Sequence, residues 1–519
     1  MRIGVDVGGT NTDAVLLDGD KVLSWCKKPT TADVESGVVA AISHIITEAD
    51  VTADQIQCVM IGTTHFTNAL VERRHLLPVG VLRIALPTAR ALPPLLDWPQ
   101  DIAAIIGDHV ALVRGGYQYD GRLNAKLDEQ AIASAAKGFL DAGIRSVAVT
   151  GVFSSVNSEM ELKAQEILQA EMGDVSVSLS HTIGRIGLLE RENATIMNAA
   201  LADLAKSVVQ SFTTALDRLN IRAPFYISQN DGTLMSADFV AKYPVLTVAS
   251  GPTNSMRGAA YLSGVKDALV ADIGGTTTDI GMLVNGYPRE SSVTVDIGGI
   301  RTNFRMPDVL ALGLGGGSRV VVTDDGVQVG PQSVGYRLLQ EGLVFGGDVL
   351  TSTDIAVAAG QADIGDASKL ETLDPATVQK ATTKIQAIIA EGVDRMKTSS
   401  VPVPLILVGG GAVIVKGDVT GTSKTIIPAH AAVANAIGAA IAHIGGEIDK
   451  VVSYDEMGRD AALAAAKQEA TDKAIAAGAE ADSVEIIDIE EVPLAYVPGG
   501  AVRVRVKAAG RLNFAKPTA

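Results

Sequence analysis

One eight-residue stretch occurs twice in this chain of 519 residues, first near its start and again past its middle. Residues 6–13 read DVGGTNTD, and residues 272–279 read DIGGTTTD. In each copy an aliphatic run ends in aspartate, a glycine pair follows, and an apolar run comes after the last aspartate, which predicts a strand, a tight turn and a strand. One such motif is weak evidence, because glycine-rich hairpins are common, but two copies predict two lobes built to one plan.

The residues of each turn suit a bound phosphate group. A glycine pair lets the backbone approach a ligand closely and supplies N–H donors, while threonine and asparagine side chains add hydroxyl and amide donors. Asp6 and Asp272, at the ends of the first strands, are placed to hold a hydrated magnesium ion or to orient a water molecule. Asp13 and Asp279 are expected to cap N–H groups of the turns instead. The predicted phosphate-binding residues are Gly8, Gly9, Thr10, Asn11, Thr12, Gly274, Gly275, Thr276, Thr277 and Thr278.

Composition and charge exclude nucleic acid as a ligand. The net charge is −16, and aromatic residues make up 4% of the chain. A nucleic-acid surface would need basic residues for the phosphate backbone or aromatic residues for base stacking, so no nucleic-acid partner is expected. A nucleotide site is compatible with the negative charge, because it uses backbone donors and a bound cation.

The cysteine content and the apolar stretches indicate a cytoplasmic protein. Cys26 and Cys58 are the only cysteines, too few for a disulfide scaffold and without the CxxC spacing of a zinc site. No basic stretch followed by an apolar core opens the chain, so a secretory signal is not expected. The best candidate for a membrane span, residues 429–446, is uncharged but short and rich in alanine, so a buried helix and no membrane partner are expected.

The alternation of strands with helices predicts an α/β fold. Prolines and the pairs Gly-Gly and Asp-Gly interrupt the pattern near residues 80–130, which predicts an insertion. Apolar residues spaced four apart predict a long helix over about residues 188–219 that bridges the lobes. The predicted units are residues 1–185 for the first lobe, 186–265 for the bridging segment, 266–449 for the second lobe and 450–519 for a small C-terminal α+β segment.

The C-terminal segment contains one strongly alternating stretch. Residues 502–507 alternate valine with arginine or lysine, which predicts a strand with one buried face. The basic face is expected to be a solvated sheet edge, because edge strands commonly carry lysine and arginine. An acidic ligand or partner for that face is the alternative.

The two turns, together with a glycine triplet after the aliphatic strand at residues 404–408, resemble the ATP-binding fold shared by actin, the heat-shock chaperone ATPases and sugar kinases. The resemblance implies two ribonuclease H-like lobes that clamp ATP and magnesium between the two phosphate turns. It also implies that Gly409, Gly410 and Gly411 pass under the adenosine. Asp6 and Asp272 would organise magnesium and the attacking group, with Asp272 the first candidate for aligning the nucleophile and Asp6 for magnesium.

A longer set of motifs resembles the hydantoinase A/5-oxoprolinase family. The most specific is residues 62–73, GTTHFTNALVER. Further matches, in order along the chain, are residues 190–195, 250–252, Asp308 with 313–318, and 329–331. The resemblance implies ATP-dependent hydrolysis of a cyclic amide, such as a hydantoin, 5-oxoproline or a related lactam. Candidate substrate contacts within these motifs are His65, Asn68, Glu190, Arg191, Asp308 and Ser318.

Several of these candidates have a structural alternative. His65 is nearly as well explained as a hydrogen-bonding residue of the fold. Glu190 and Arg191 either reach the cleft or form an ion pair on a helix surface. Residues 315–318 form a candidate anion-binding loop, although surface flexibility alone would also explain their glycines.

The chain departs from the family pattern at one loop. The family usually reads LDIHTVGAGGGS where residues 307–318 read PDVLALGLGGGS, so Leu310 replaces a histidine. The downstream PGPACYG stretch of the family is also missing. These departures leave the ATP chemistry intact but weaken the transfer of substrate identity.

The resemblance also implies a partner. In two-part members of the family a companion B subunit completes the hydrolase, and nothing in this chain corresponds to it. The chain is therefore expected to be the ATP-binding subunit of a homo- or hetero-oligomer. A small-molecule kinase of the sugar type and a non-catalytic ATP-binding module are the alternatives.

Overall fold

The computed structural model describes residues 1–9, 11–31, 33–291, 294–304, 306–323, 326–495 and 500–514. In its first sheet three consecutive strands are antiparallel neighbours, and the fourth and fifth strands lie parallel to the first. The spatial order 3-2-1-4-5, with a short sixth strand at the edge, is the ribonuclease H-like arrangement. In chain order the strands are Arg2–Val7, Asn11–Asp18, Lys21–Pro29, Cys58–Thr63, Phe225–Ser228 and Leu234–Ser236.

Helix Val34–Glu48 covers one face of this sheet. It begins where the Asp33 side chain accepts a hydrogen bond from the N–H of Ser36, which satisfies one of the free donors of the first turn. Its buried apolar residues recur at helical spacing and pack on the sheet. They are Val38, Ala41, Ile42 and Ile45.

A separate parallel sheet is inserted between the fourth and fifth strands of the first sheet. The proline-rich region near residues 80–130 supplies two of its strands, and its core is covered by two helices, Glu129–Asp141 and Glu159–Met172. In spatial order the strands are Val110–Arg114, Gly80–Leu86, Ser146–Gly151 and Ser176–Leu179. The helices of this insertion are Gln100–Ile106, Glu129–Asp141 and Glu159–Met172.

The bridging helix is divided, contrary to the prediction of one helix over residues 188–219. Helix Leu188–Ala200 ends at Leu201, and helix Ala202–Arg218 starts directly after it. The two parts have different surroundings: the first is buried on nearly all sides, whereas the second has one buried stripe at helical spacing. The four-residue spacing of apolar residues therefore predicted where the helices lie but not the break between them.

The second lobe repeats the first. Its strands have the same 3-2-1-4-5 order, which confirms the predicted α/β fold of two ribonuclease H-like lobes. In chain order they are Ala268–Ile273, Thr278–Val284, Tyr287–Pro288, Leu405–Val408 and Thr425–Ile426. The long helix Pro375–Met396 packs on this sheet. Shorter elements of this half are Val295–Ile297, Ile300–Thr302, Val309–Leu312, Ser318–Thr323, Gly326–Ser333, Leu338–Glu341 and Ser352–Ala358.

The C-terminal sheet corrects one expectation. Strand Ala501–Gly510 is central, between Ile444–Ser453 and Glu485–Pro493, and helix Arg459–Ala476 packs against it. The expected solvated basic edge is wrong, because carboxylates of this same chain face those basic side chains. Arg503 pairs with Asp449 at 2.6 Å, and the other pairs are Arg505 with Glu490 at 2.7 Å and Lys507 with Asp231 at 2.8 Å.

Two helices, Ser250–Ser263 and Ala434–Ala440, pack tightly against each other and are called here the joining helices. A Cβ atom on Gly258 would lie 1.9 Å from the Ala434 carbonyl oxygen, and one on Gly438 would lie 1.8 Å from the Asn254 carbonyl oxygen. Only glycine permits this backbone approach. The uncharged stretch 429–446 contributes the buried helix that was expected. No helix among the described residues is long and apolar enough to cross a membrane.

We predict that Gly438→Ala destabilises the protein, because its new methyl group would meet a main-chain carbonyl that no rotamer change moves away. Overpacking of this kind costs about 1–3 kcal/mol. The midpoint of thermal unfolding should fall. Gly251→Ala in the other joining helix is the matched control, since its Cβ would meet nothing within 4 Å. Equal midpoints for the two variants would contradict the close approach.

Candidate functional site

The two repeated turns have the same geometry. The Gly8 N–H donates to the Asn11 carbonyl at 3.0 Å, and the Gly274 N–H donates to the Thr277 carbonyl at 2.9 Å. The strands that flank each turn also share one register, in which the first aspartate of the motif lies opposite the last. The sequence repeat is therefore a structural repeat. Thr10, at the tip of the first turn, lies outside the described residues.

The turn tips are open, whereas the last threonine of each motif is not. Gly9, Gly275, Thr276 and Thr277 are exposed, and Asn11 is partly exposed. Thr12 and Thr278 are fully buried, and their hydroxyl groups bond inward to Thr30 Oγ1 at 3.3 Å and to the Leu314 carbonyl at 2.6 Å. This corrects the prediction that both hydroxyls face a phosphate, because these threonines already belong to the second strand of each hairpin.

Each strand-end aspartate faces a glycine on the neighbouring parallel strand or just after it. A Cβ on Gly62 would lie 2.4 Å from Asp6 Oδ1, and a Cβ on Gly409 would lie 2.4 Å from Asp272 Oδ1. Gly409 also has a φ of +84°, which favours glycine. Two glycines thus leave the space that the two carboxylates fill.

The glycine triplet lies against the base of the second turn. The Gly411 N–H donates to the Ile273 carbonyl at 2.7 Å, and a Cβ on Gly411 would lie 2.7 Å from the Gly274 carbonyl oxygen. A Cβ on Gly410 would meet nothing within 4 Å, so this residue faces open space. The structure therefore brings Gly409, Gly410 and Gly411 together with Asp272 at one sheet edge.

The joining helices orient both carboxylates. Asn435 Nδ2 donates to Asp6 Oδ2 at 2.7 Å, and Ser255 Oγ donates to Asp272 Oδ2 at 2.5 Å. Neither residue was predicted from the sequence. The signals available were the neighbouring family match at residues 250–252 and an asparagine within the uncharged stretch.

Several buried polar atoms near Asp6 have no hydrogen-bond partner among the described residues. They are Asp6 Oδ1, Asp13 Oδ1 and both side-chain atoms of the Asn254 amide. Asn254 Nδ2 would lie 2.6 Å from the same Gly62 Cβ position that Asp6 Oδ1 approaches, so these groups converge. Because an unsatisfied buried polar group costs about 1–3 kcal/mol, their convergence indicates a place for a cation, water or a polar ligand.

The carboxylates of the two lobes act on each other electrostatically. Burial is the largest cause that raises the pKa of Asp6 to about 7; the charges of Asp13 and Asp272 contribute to the rise, and Lys27 opposes it. Burial and then Asp272 raise the pKa of Asp279 to about 6. Lys27 is 2.5 Å from Asp13, and its positive charge opposes the rise in the pKa of Asp6, Asp13 and Asp272. A concentration of negative charge with so little compensation favours a bound cation.

Residues 315–318 support the second turn. The N–H groups of Gly316 and Gly317 donate to the two glycine carbonyls of that turn, at 2.9 and 2.7 Å. The Gly315 N–H donates to Ser318 Oγ at 2.9 Å, and Ser318 is fully buried. This corrects both the anion-binding loop and Ser318 as a substrate contact, because the donors are already used within the protein.

Two candidate substrate residues lie beside the first turn. His65 and Asn68 belong to helix His65–Glu72, which starts directly after the strand that neighbours Asp6. Asn68 Nδ2 would lie 3.9 Å from a Cβ on Gly9, and His65 Nδ1 is 2.6 Å from Thr63 Oγ1. Burial lowers the pKa of His65, which favours the neutral ring. Both residues line a cavity of about 470 Å³.

Arg191 is not available to a substrate. It is buried, and its guanidinium donates to Ser180 Oγ and to three main-chain carbonyls at 2.6–3.2 Å. The candidate role in substrate binding is corrected, because these donors are used within the protein: they hold the loop before the helix of Arg191 and the end of strand Ser146–Gly151. The neighbouring residue Glu192, which was not a predicted site residue, is buried together with Arg83, whose Nε donates to Glu192 Oε1 at 2.7 Å.

The remaining candidates form ion pairs away from the turns. Glu190 pairs with Arg301 at 3.3 Å, and Asp308 pairs with Arg289 at 2.5 Å. Leu310, on strand Val309–Leu312, packs partly buried against the core of the second lobe. An apolar residue suits that position, which explains how the chain accommodates the departure from the family pattern.

The electrostatics of Asp6 predict a pH-dependent stability. Its pKa in the folded protein, about 7, exceeds the ordinary value of 3.8, so between these pH values the folded protein keeps a proton that the unfolded chain has lost. The resulting stabilisation is complete below the ordinary pKa and is lost as the pH rises through about 7. A shift of this size corresponds to about 4 kcal/mol.

We therefore expect Asp6→Asn to gain stability relative to the wild type as the pH rises from 5 to 8. Thermal unfolding with a chelator present measures this difference. Asp394→Asn is the control, because its side chain is 83% exposed. Parallel pH curves for the wild type and Asp6→Asn would contradict the raised pKa.

Comparison with known proteins supports one family over most of the chain. The family described as hydantoinase/oxoprolinase N-terminal region matches residues 2–172, and the family described as hydantoinase/oxoprolinase matches residues 191–403. The first match contains the first repeated hairpin, and the second match contains the second repeated hairpin.

Individual relatives are distant. The chain is 28% identical to caprolactamase subunit alpha of Pseudomonas jessenii, over 69% of this chain and 54% of that protein. It is 26% identical to the acetophenone carboxylase gamma subunit of Aromatoleum aromaticum, over 69% of this chain and 53% of that protein. The chain thus spans about half the length of these relatives.

A solved structure shows the same fold. The ATP-dependent caprolactamase of Pseudomonas jessenii superposes with a TM-score of 0.77 at 21% identity, covering 99% of this chain and 88% of that one. The two family matches, in the order in which the lobes occur, carry the conclusion. The chain belongs to the hydantoinase/oxoprolinase family.

Proposed function

We propose that this chain binds ATP with magnesium between its two lobes and uses ATP to activate a cyclic amide for hydrolysis. The observation that carries the proposal is the paired hairpins, whose strand-end carboxylates Asp6 and Asp272 act on each other across the lobes. The exposed turn tips would contact the phosphates. The open face at Gly410 would lie next to the adenosine.

The residues present fit a magnesium ion held through water. Asp6 and Asp272 would hold it, and the unpartnered Asp6 Oδ1 and Asn254 amide are the buried polar atoms that a hydrated ion would satisfy. Among the described residues no group of three His, Cys, Asp or Glu side chains is close enough for direct coordination, which also favours ligation through water. When bound, magnesium would neutralise phosphate charge and align the phosphates.

The chemistry explains the need for ATP. A cyclic amide is stabilised by resonance and has a poor leaving group, so water alone opens it slowly. Transfer of the γ-phosphoryl group to the amide oxygen gives ADP and an O-phosphorylated ring. Water then adds to the ring carbon that bears this oxygen, and the C–N bond breaks as the ring nitrogen takes up a proton and leaves as an amine, which opens the ring to an acyl phosphate. A second water hydrolyses the acyl phosphate to a carboxylate and inorganic phosphate, so the product is an amino acid. Phosphorylation of another activator is the alternative, and in both cases the protein supplies position and charge.

The substrate class rests on the relatives. Similarity to a caprolactamase subunit favours a lactam, a hydantoin or 5-oxoproline. Similarity to a carboxylase subunit favours a second candidate, in which ATP activates a carbonyl compound for carboxylation. A retained phosphate on the product would instead indicate a kinase.

Titration calorimetry with magnesium and ATP or ADP tests the nucleotide site. Saturable binding in the micromolar range or tighter is expected. No heat of binding at protein concentrations that detect this range would remove the basis of the proposal.

We predict that Asp272→Asn lowers ATP turnover about 10²- to 10⁴-fold, the range typical of a lost catalytic group, and changes nucleotide affinity much less. The reason is that a positioning carboxylate acts on the transition state more than on phosphate contacts in the ground state. Steady-state turnover and calorimetry measure the two effects separately. Asp394→Asn should leave both unchanged. Near-normal turnover of Asp272→Asn would move the catalytic role to Asp6 or another residue.

We also predict that ring opening needs a second polypeptide. The two curated relatives are named as subunits, and an activated amide released into water would waste ATP before a separate site could act on it. The purified chain alone should therefore hydrolyse ATP only weakly, and should not open the ring efficiently, when it is assayed with a panel of hydantoins, 5-oxoproline and simple lactams. Stoichiometric ring opening coupled to ATP by this chain alone would refute the prediction, and turnover only with a ketone and bicarbonate would favour the carboxylation candidate.

A further inference from the structure

A cavity of about 540 Å³ lies beyond the carboxyl ends of three parallel strands. Strand Phe225–Ser228 of the first sheet leads into Asn230, and strands Ser146–Gly151 and Ser176–Leu179 of the inserted sheet lead to the cavity wall beside it. In open α/β sheets ligands bind in the crevice outside the carboxyl ends of the strands. The position of this cavity therefore points to a ligand.

The charges in its wall are compensated within the protein. Lys507 pairs with Asp231 at 2.8 Å and with Glu290 at 3.0 Å. Arg185 pairs with Glu447 at 3.1 Å, and such pairing offsets the cost of burial. A ligand with a net charge would have to compete with these pairs. The cavity instead suits a small polar molecule without net charge.

Asn230 provides a hydrogen-bonding group aimed at such a molecule. Asn230 is 4% exposed. Its main-chain N–H donates to the Leu246 carbonyl, and its main-chain carbonyl accepts from Thr253 Oγ1, both at 2.7 Å. Asn230 lines the cavity, and its hydrogen bonds within the part of the chain that the structure describes are these main-chain ones, which leaves its side-chain carboxamide available. A carboxamide carries one acceptor oxygen and two N–H donors, so it can bind a ligand through both kinds of hydrogen bond.

The ring of a lactam or hydantoin has the matching pattern. A small ring forces its amide to be cis, so the N–H and the C=O point to the same side. A carboxamide side chain offers a C=O and an N–H in the complementary order. The two groups can therefore form a pair of hydrogen bonds, while Phe239, Leu246 and Phe304 supply apolar surface for the ring carbons.

The cavity is connected to the nucleotide site through one joining helix. Thr253, which holds the Asn230 carbonyl, lies two residues before Ser255, which holds Asp272. A Cβ on Gly232 would lie 2.6 Å from Thr253 Cγ2, so the loop that carries Asn230 packs directly on that helix. The helix thus fixes the cavity wall and the carboxylate in one rigid element.

We propose that this cavity is the binding site for the cyclic amide and that Asn230 determines specificity by pairing with the ring amide. The inference rests on the function proposed above and names the place and the recognition chemistry of its substrate. It differs from the region of His65 and Asn68, which lies beside the first phosphate turn.

The test is titration of the full chain, in the presence of magnesium and ADP, with 2-piperidone and with its N-methyl analogue, followed by calorimetry or saturation-transfer NMR. The wild type should bind 2-piperidone, and the N-methyl analogue should bind at least about tenfold more weakly, because it has no N–H to donate. Asn230→Leu should lose about tenfold or more in affinity for 2-piperidone while keeping its affinity for ADP. Gln169→Ala, which changes an exposed carboxamide, should behave as the wild type.

The outcomes separate the two proposals. Lactam-dependent ATP turnover, with the partner present, that is equal in the wild type and Asn230→Leu would overturn the inference and leave the proposed function standing. A wild-type chain that binds ADP but neither lactam nor hydantoin would overturn both. If Asn230→Leu fails to fold, equal affinity of the wild type for 2-piperidone and its N-methyl analogue would by itself overturn the inference.

Discussion

The contact between the joining helices is the constraint on which the rest of the structure depends. At Gly258 and Gly438 the two backbones are so close that a single methyl group does not fit. This approach places Asn435 against the carboxylate of the first lobe and Ser255 against that of the second. The two sheets are far apart in the sequence. The distance between them is set by glycines, whose lack of a Cβ atom lets the joining helices approach closely.

The same contact explains the electrostatics of the site. Burial and the charge of Asp13 are the larger causes of the raised pKa of Asp6, and Asp272 of the other lobe adds to them. Packing of small residues holds Asp6 and Asp272 near each other in spite of the repulsion. The unfavourable charge is thus balanced by apolar and van der Waals contacts elsewhere, which is the usual way in which a protein maintains a site ready for a cation.

Features that are local in the sequence were predicted well. The two hairpins, the alternation of strands and helices, and the placement of Asp6 and Asp272 all follow from short motifs whose geometry is set by neighbouring residues. The partners of the carboxylates could not be predicted in this way, because Asn435 approaches Asp6 only after both lobes have formed. Motif membership also misled at Arg191 and Ser318, since a residue type shared within a family can serve the fold as well as the substrate. The basic strand at residues 502–507 was misjudged for a related reason: alternation shows that a strand has two faces, but not which carboxylates the fold brings to the polar one.

The position of Lys507 has a consequence for the order in which the molecule is made. This residue joins Asp231, beside the first sheet, to Glu290, in the second half, and it does so from the last strand among the described elements. During synthesis both lobes leave the ribosome before that strand exists. Until it arrives, Asp231 and Glu290 lack the ammonium group of Lys507, and the cavity lacks Lys507 from its lining. The charged cluster that joins the two halves is therefore completed only when the final sheet is in place.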